Sequence, residues 1–273
     1  MKNIHLSSII LLLSLFSVAA NANSKTSGIA IQKTYEGYSL KKIKSLADAG
    51  DANAQYNLAE RYEAGKGVEK NQDLAVKWVK LAAAQNNSGA QLLLGYYYSN
   101  GLGVQQDTPL SFKYYKLAAD QENRIAIYNV GTCYIRGCAG GNDPAKAVTF
   151  LKKSAELGYS PAKVRLGYAY DVGLGIKQDK KRAAALYQEA ANEGDAFGQM
   201  NLSTMYYMGD GVVDDYVLSL MWRYVSYLNG NKNAMRMSKA HRYIRNQMSR
   251  DQIKTAEKLA KQCFESHYKE CEE

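Results

Sequence analysis

The chain has 273 residues, 46% of them hydrophobic, and carries 35 Lys and Arg against 26 Asp and Glu, a formal charge of +9. That length supports a sizeable core, while a basic excess this diluted excludes a dedicated nucleic-acid surface, which needs charge clustered with base-reading or stacking residues. Three histidines without Cys-x-x-Cys or His-Glu-x-x-His spacing exclude the common zinc sites and leave no metal or cofactor to assign.

From the amino end, Lys2, the apolar run Ile9 to Val18 and Ala20-Asn21-Ala22 read as a secretory signal over residues 1–22, with the mature chain starting at Asn23. The apolar run is shorter than the roughly 18–20 residues of a membrane-spanning helix, so a soluble periplasmic or secreted protein is expected. His5 leaves with the signal, and His241 and His267 are expected as exposed residues of a terminal cap. Residues 23–50 form a linker and a half repeat, since Ser45-Leu46-Ala47-Asp48-Ala49-Gly50 looks like the end of a helix whose partner is missing.

Residues 51–230 are periodic. Gly65, Gly101, Gly137, Gly173 and Gly209 recur every 36 residues, followed two positions on by Gly67, Gly103, Gly175 and Gly211, with Ala139 as the exception. Tyr62, Tyr98, Tyr134, Tyr170 and Tyr206 keep the same step, as do Leu58, Leu94, Val130, Leu166 and Leu202. Spacing of i, i+4, i+8 from Ala54 to Leu58 to Tyr62 puts these side chains on one face of a first helix. A small residue follows each Leu or Val (Ala59, Gly95, Gly131, Gly167, Ser203) and is expected to let the partner helix backbone approach. The paired glycines end the helix through left-handed backbone conformations.

Asn71, Asp107, Asp143, Asp179 and Asp215 then stand as N-caps of five second helices. Those helices are expected to bury Trp78, Tyr114, Phe150, Leu186 and Trp222, and Gly158, Gly194 and Gly230 close the last three. Asp51, Asn87, Asn123 and Asp195 cap first helices, with Tyr159 the departure. Residues 231–273 read as a two-helix cap, its second helix opened by a Ser249 to Gln252 capping box and presenting Ile253, Ala256, Leu259, Ala260 and Phe264 inward.

This pattern is best carried by Ala90, Leu94, Gly95, Tyr98, Gly101, Gly103, Val104, Asp107, Tyr115, Ala118 and Ala119, and it resembles the Sel1-like repeat family, longer cousins of tetratricopeptide repeats. The resemblance implies an all-α, right-handed α-solenoid of five 36-residue helix-pair repeats with a terminal helical cap. It further implies a non-enzymatic scaffold or adaptor that binds a protein or peptide in a concave groove lined by first helices. By register that groove takes Tyr56, Leu92, Tyr128, Val164 and Met200; Asn57, Leu93, Asn129, Arg165 and Asn201; and Glu60, Tyr96, Thr132, Tyr168 and Thr204. Tyr56, Asn57, Tyr96, Asn129, Arg165, Tyr168 and Asn201 are the expected partner-binding residues, because Tyr and Arg anchor interfaces and Asn pairs with an extended backbone. The competing reading is that the tyrosines pack between repeats.

Two other chemistries are weighed. Some cysteine-rich members of the family are linked with β-lactam binding or hydrolysis, so the alternative function is a peptidoglycan or β-lactam binder with weak β-lactamase-type activity. Ser39 to Lys42, Ser160 to Lys163 and Ser266 to Lys269 match Ser-x-x-Lys, but no Ser-Asp-Asn or Lys-Thr-Gly accompanies them. Cys133, Cys138, Cys263 and Cys271 leave three disulfide connectivities open. A 133–138 bridge fits a chain reversal at Gly137, and a 263–271 bridge demands a helix break near His267. The acid-free stretch Lys232, Arg236, Lys239, Arg242, Arg245 and Arg250 reads as a solvated helix face, with contact to an anionic envelope surface as its functional counterpart.

Overall fold

The computed structural model describes residues 35, 37–138, 140–234, 239–269 and 271, with residues 239–241 and 244 described in their backbone alone. The expected signal, residues 1–22, lies outside the described residues. Among the described residues the regular structure is entirely helical. First helices are α2 (Ala52–Ala64), α4 (Ser88–Asn100), α6 (Arg124–Arg136), α8 (Ser160–Val172) and α10 (Ala196–Met208). Second helices are α3 (Gln72–Ala84), α5 (Thr108–Ala119), α7 (Pro144–Glu156), α9 (Lys180–Asn192) and α11 (Tyr216–Leu228). Ahead of them lies α1 (Leu40–Asp48), and after them α12 (Lys239–Gln247) and α13 (Arg250–Glu265). Each first helix packs against its own second helix and against the helix before it, so α10 touches both α9 and α11.

Capping explains why the helices start where they do. Asn71, Asp107, Asp143, Asp179 and Asp215 each accept a hydrogen bond from the backbone N–H three residues on, satisfying one of the orphan donors of a helix start. Asp51, Asn87, Asn123 and Asp195 do the same for first helices. Tyr159 makes no side-chain cap; its ring instead meets Tyr128 edge-on, centroids 5.3 Å apart. Pro161 in the first turn of α8 removes one N–H that would otherwise want a partner.

The structure shifts one detail of the sequence expectation and adds two to it. The fully buried column of the second helices lies one residue beyond the expected one: Val79, Tyr115, Leu151, Tyr187 and Arg223 are at most 6% exposed, whereas Trp78, Tyr114 and Phe150 are half-buried and only Leu186 and Trp222 of that set are enclosed. The half-buried rings face the first-helix tyrosines, and Tyr98 and Tyr114 stack with centroids 5.8 Å apart. Helix α1 ends at Asp48, one period before the end of α3, and supplies Ile43 to the same column as Val79. Lastly, the second glycine of the pair does more than end a helix at Gly103, Gly175 and Gly211. A Cβ at Gly211 would collide with the Lys180 carbonyl, and one at Gly175 with the Pro144 backbone, so these loops lie directly on the preceding repeat.

At the carboxyl end α13 packs against α11 and buries Ala256, Ala260 and Cys263, while Phe264 is turned outward and exposed. Cys263 takes the inward position because it is bonded to Cys271. That bridge is reached by ending the helix: Ser266 caps α13, and His267 and Tyr268 follow with φ of 54° and 66°. Cys133 pairs with Cys138 across the αL turn at Gly137.

Candidate binding face

The residues assigned to partner binding occupy successive first helices. Tyr56 and Asn57 lie on α2, Tyr96 on α4, Asn129 on α6, Arg165 and Tyr168 on α8, and Asn201 on α10, and all seven are half-buried. Helices α8 and α10, first helices of adjoining repeats, touch. Every outward position is therefore one repeat away from its counterpart, and a run of side chains, one or two per helix, lines this face.

Not all of that face is free. Tyr56, Leu93 and Tyr96 pack against the apolar cluster of Leu94 and Tyr97, Leu92 against that of Ile127 and Val130, and Val164 against that of Tyr187 and Leu202. Tyr128 is 5% exposed, which makes it an inter-repeat packing residue. The slots of Tyr56, Leu92, Tyr128 and Val164 thus join repeats. Asn57 is engaged as well, accepting from Arg61 Nε at 2.9 Å.

Electrostatics differ along the face. At its amino end the Tyr56 hydroxyl donates to Glu60 at 2.7 Å. Partial burial pushes the Glu60 carboxyl above its ordinary value, against the lowering effect of the Tyr56 hydroxyl, and burial raises Glu63 in the same way. The Tyr56 phenol is driven well up by burial and by Glu60. Farther along, Lys180 bridges Asp171 and Asp210, both at 2.8 Å, and so fastens α9 to the last first-helix turn of its own repeat and to the loop of the next.

A column that the sequence reading missed runs along the junction between each first helix and its own second helix. Gln85 donates to Gln55 at 2.8 Å and Gln121 to Gln91 at 2.7 Å, each pair 30 residues apart. In the third repeat the same two slots hold Ile127 and the partly buried Leu157, in one apolar cluster. In the fourth they hold Lys163 and Glu193, paired at 2.6 Å with Glu189 also within 3.0 Å. Each pair is matched in kind, and a 30-residue comparison of the sequence would have exposed it.

The Ser-x-x-Lys matches are helix termini. Ser39 caps α1 by accepting from the Lys42 N–H, and Ser266 closes α13 by donating to the Cys263 carbonyl. Ser160 opens α8. Burial lowers the Lys163 ammonium, but Glu193 and Glu189 outweigh it and hold the group charged above its ordinary value, which unfits it as a base. His267 is exposed, and of His241 only the backbone, in α12, is described. Among the described residues no cluster of His, Cys, Asp and Glu could hold a metal, and no helix is long and apolar enough to cross a membrane.

Comparison with known proteins places this geometry. The Sel1 repeat model matches residues 52–87, 88–123, 124–159, 160–195 and 196–222. No curated protein matches the chain. Among solved structures, a protective antigen of uropathogenic Escherichia coli strains displaying an SLR fold is 29% identical with a TM-score of 0.76, over 84% of this chain and 49% of that one, so this chain spans about half its length. A Sel1 repeat protein from Oxalobacter formigenes is 28% identical with a TM-score of 0.66, over 80% of this chain and 93% of that one.

Proposed function

The chain belongs to the Sel1 repeat family, and from that premise we propose that it is an exported adaptor holding a protein or peptide partner on the face lined by the first helices. One observation carries the reading. The cap residues, the turn glycines and the first-helix Leu and Tyr slots repeat almost unchanged from one helix pair to the next, whereas the outward first-helix slots change chemistry at each step: Asn57, Leu93, Asn129, Arg165 and Asn201 in one, Glu60, Tyr96, Thr132, Tyr168 and Thr204 in another. A surface serving only solubility would be uniformly charged. This one mixes half-buried aromatic, amide and single charged groups, the composition that anchors partners.

Export is supported by the apolar amino-terminal segment and by the two disulfides, which persist in oxidising compartments. The likeness to a protective antigen is in keeping with a place outside the cytoplasm. The test is capture from envelope extracts with wild-type chain and with a Tyr96→Ala, Asn129→Ala, Arg165→Ala variant of unchanged helix content. A protein retained by the first and lost by the second is expected; identical capture by both would remove the face assignment.

A further inference from the structure

The last repeat places a charge in the core. Arg223 occupies the column of Ile43, Val79, Tyr115, Leu151 and Tyr187 and is 6% exposed, and among the described residues it makes neither a hydrogen bond nor an ion pair; its Nε is buried without a partner. An enclosed arginine with its Nε donor buried and unpaired and no counter-ion is a costly arrangement for a core to hold. Burial alone pushes its pKa down, with no acid acting on it.

The 36-residue register supplies the positions that Arg223 is inferred to face, from the surroundings of its slot-mates. Tyr115 lies within electrostatic reach of Ser99 and Tyr96, and Tyr187 within reach of Asp171 and Tyr168. One period on, these positions are Tyr207 and Thr204 of α10. The fourth repeat thus offers a carboxylate, Asp171, at the tip of this column, and the fifth, where the column turns cationic, offers a phenol. Tyr207 lies 6.5 Å from the ring of Tyr243 on α12, which is 51% exposed and flanked by the exposed Arg242 and Arg245.

We propose that the carboxyl end of the first-helix face is a carboxylate site, in which a peptide partner supplies the counter-ion that Arg223 lacks, between Thr204, Tyr207 and Tyr243. The charge is retained for recognition: a guanidinium grips a carboxylate through two parallel N–H donors, and enclosure strengthens that grip. This deepens the adaptor reading and rests on it for the peptide nature of the ligand, but not for the presence of the anion site.

The mature chain with its disulfides intact is tested against three labelled peptides: capped hexaglutamate, capped hexaglutamine, and a Gly-Ser peptide whose amino end is capped and whose only charge is its free terminal carboxylate. Binding is read by anisotropy and melting temperature. Hexaglutamate or the free-carboxylate peptide, according to whether side-chain or terminal carboxylates are preferred, should bind and raise the melting temperature, and hexaglutamine should not. Arg223→Met should melt higher than wild type without peptide and lose at least tenfold in affinity, with Arg223→Lys between them. The Tyr96, Asn129, Arg165 triple variant should still bind whichever carboxylate peptide the wild type binds, which separates this site from the wider face, and a wild-type chain that binds neither would overturn the proposal. An Arg223→Met chain that melts lower or fails to fold, one that binds as wild type does, or affinity lost only in Arg242→Gln, Arg245→Gln would each overturn the proposal.

Discussion

Gly95 of α4 lies under the ring of Tyr115 of α5, so closely that a Cβ on the glycine would stand 2.7 Å from Cδ1. Gly167 and Tyr187 repeat the arrangement two helix pairs on, again at 2.7 Å. The first pair, Ala59 and Val79, divides similar space the other way, with both residues fully enclosed. The small slot therefore admits a large neighbouring side chain in these repeats, and only around Gly131 is the nearest neighbour a backbone atom, the Ala147 carbonyl at 3.2 Å.

This complementarity is testable. In an open helix Gly→Ala gains about 1 kcal/mol, but overpacking costs about 1–3 kcal/mol, and a 2.7 Å approach to the ring of Tyr115, itself 5% exposed, decides the sign. Gly95→Ala should lower the melting temperature by a few degrees, a net loss of up to about 2 kcal/mol. Adding Tyr115→Val, which imports the pairing of the first repeat, should recover part of that loss. A double variant that is merely the sum of the two single losses would refute the shared-volume account.

Glu122 should be replaceable with profit. Gly50, Asn86, Glu122, Gly158, Gly194 and Gly230 all close a second helix with positive φ, and Glu122 adopts 60°. A left-handed conformation costs a side-chain-bearing residue about 1–2 kcal/mol, more than its exposed pair with Lys153 at 3.5 Å returns. Glu122→Gly is expected to raise the melting temperature by about 2–4 °C, whereas Gly158→Glu should lower it.

The matched column offers a double-mutant cycle. Lys163→Gln removes the cation from two glutamates, and adding Glu193→Gln restores the amide pair seen at Gln55 and Gln85. Because Glu193 is 40% exposed, the coupling should be modest, about 0.5–1 kcal/mol. Thermal melts of the four proteins measure it, and a coupling indistinguishable from zero would mean that the pairs are matched only by chance.

These relationships mark what the sequence could and could not tell. Caps and glycine turns were legible because their signals are local: an Asp or Asn fits at Asp107 or Asn87 for reasons contained in the next three residues. Family and helix phase followed, since 36-residue recurrence needs no partner information. The buried column stands one residue beyond the large Trp78 and Trp222, because side-chain size does not say which flank of a helix is enclosed, and the half-exposed stack of Tyr98 on Tyr114 exists only with the neighbouring helix in place. Tyr128 was read as groove-facing, since only the contact with Tyr159 shows it to be enclosed. Arg223 does not stand out in the sequence for the same reason: its place in the core exists only relative to Tyr115 and Tyr187.

Mild acid should stabilise the amino end of the face. Glu60 and Glu63 have carboxyl pKa values raised above 4.5 by burial, so between those values and 4.5 the folded chain binds more protons than the unfolded chain. Stability then rises as pH falls through that window, the opposite of a salt-bridged acid. Asp143, held below 3.8 by the Lys146 backbone amide and ammonium, acts in the other sense and only at lower pH. Other raised carboxyls such as Asp195 contribute equally to wild type and variant, so the informative quantity is the difference between them. Glu60→Gln, Glu63→Gln keeps an acceptor for the Tyr56 hydroxyl and removes both titrations. Melting temperatures from pH 7 to 4.5 should show the variant ahead at neutrality and the gap closing towards pH 4.5. A gap that stays constant across the range would show that these carboxylates are solvated like any surface pair.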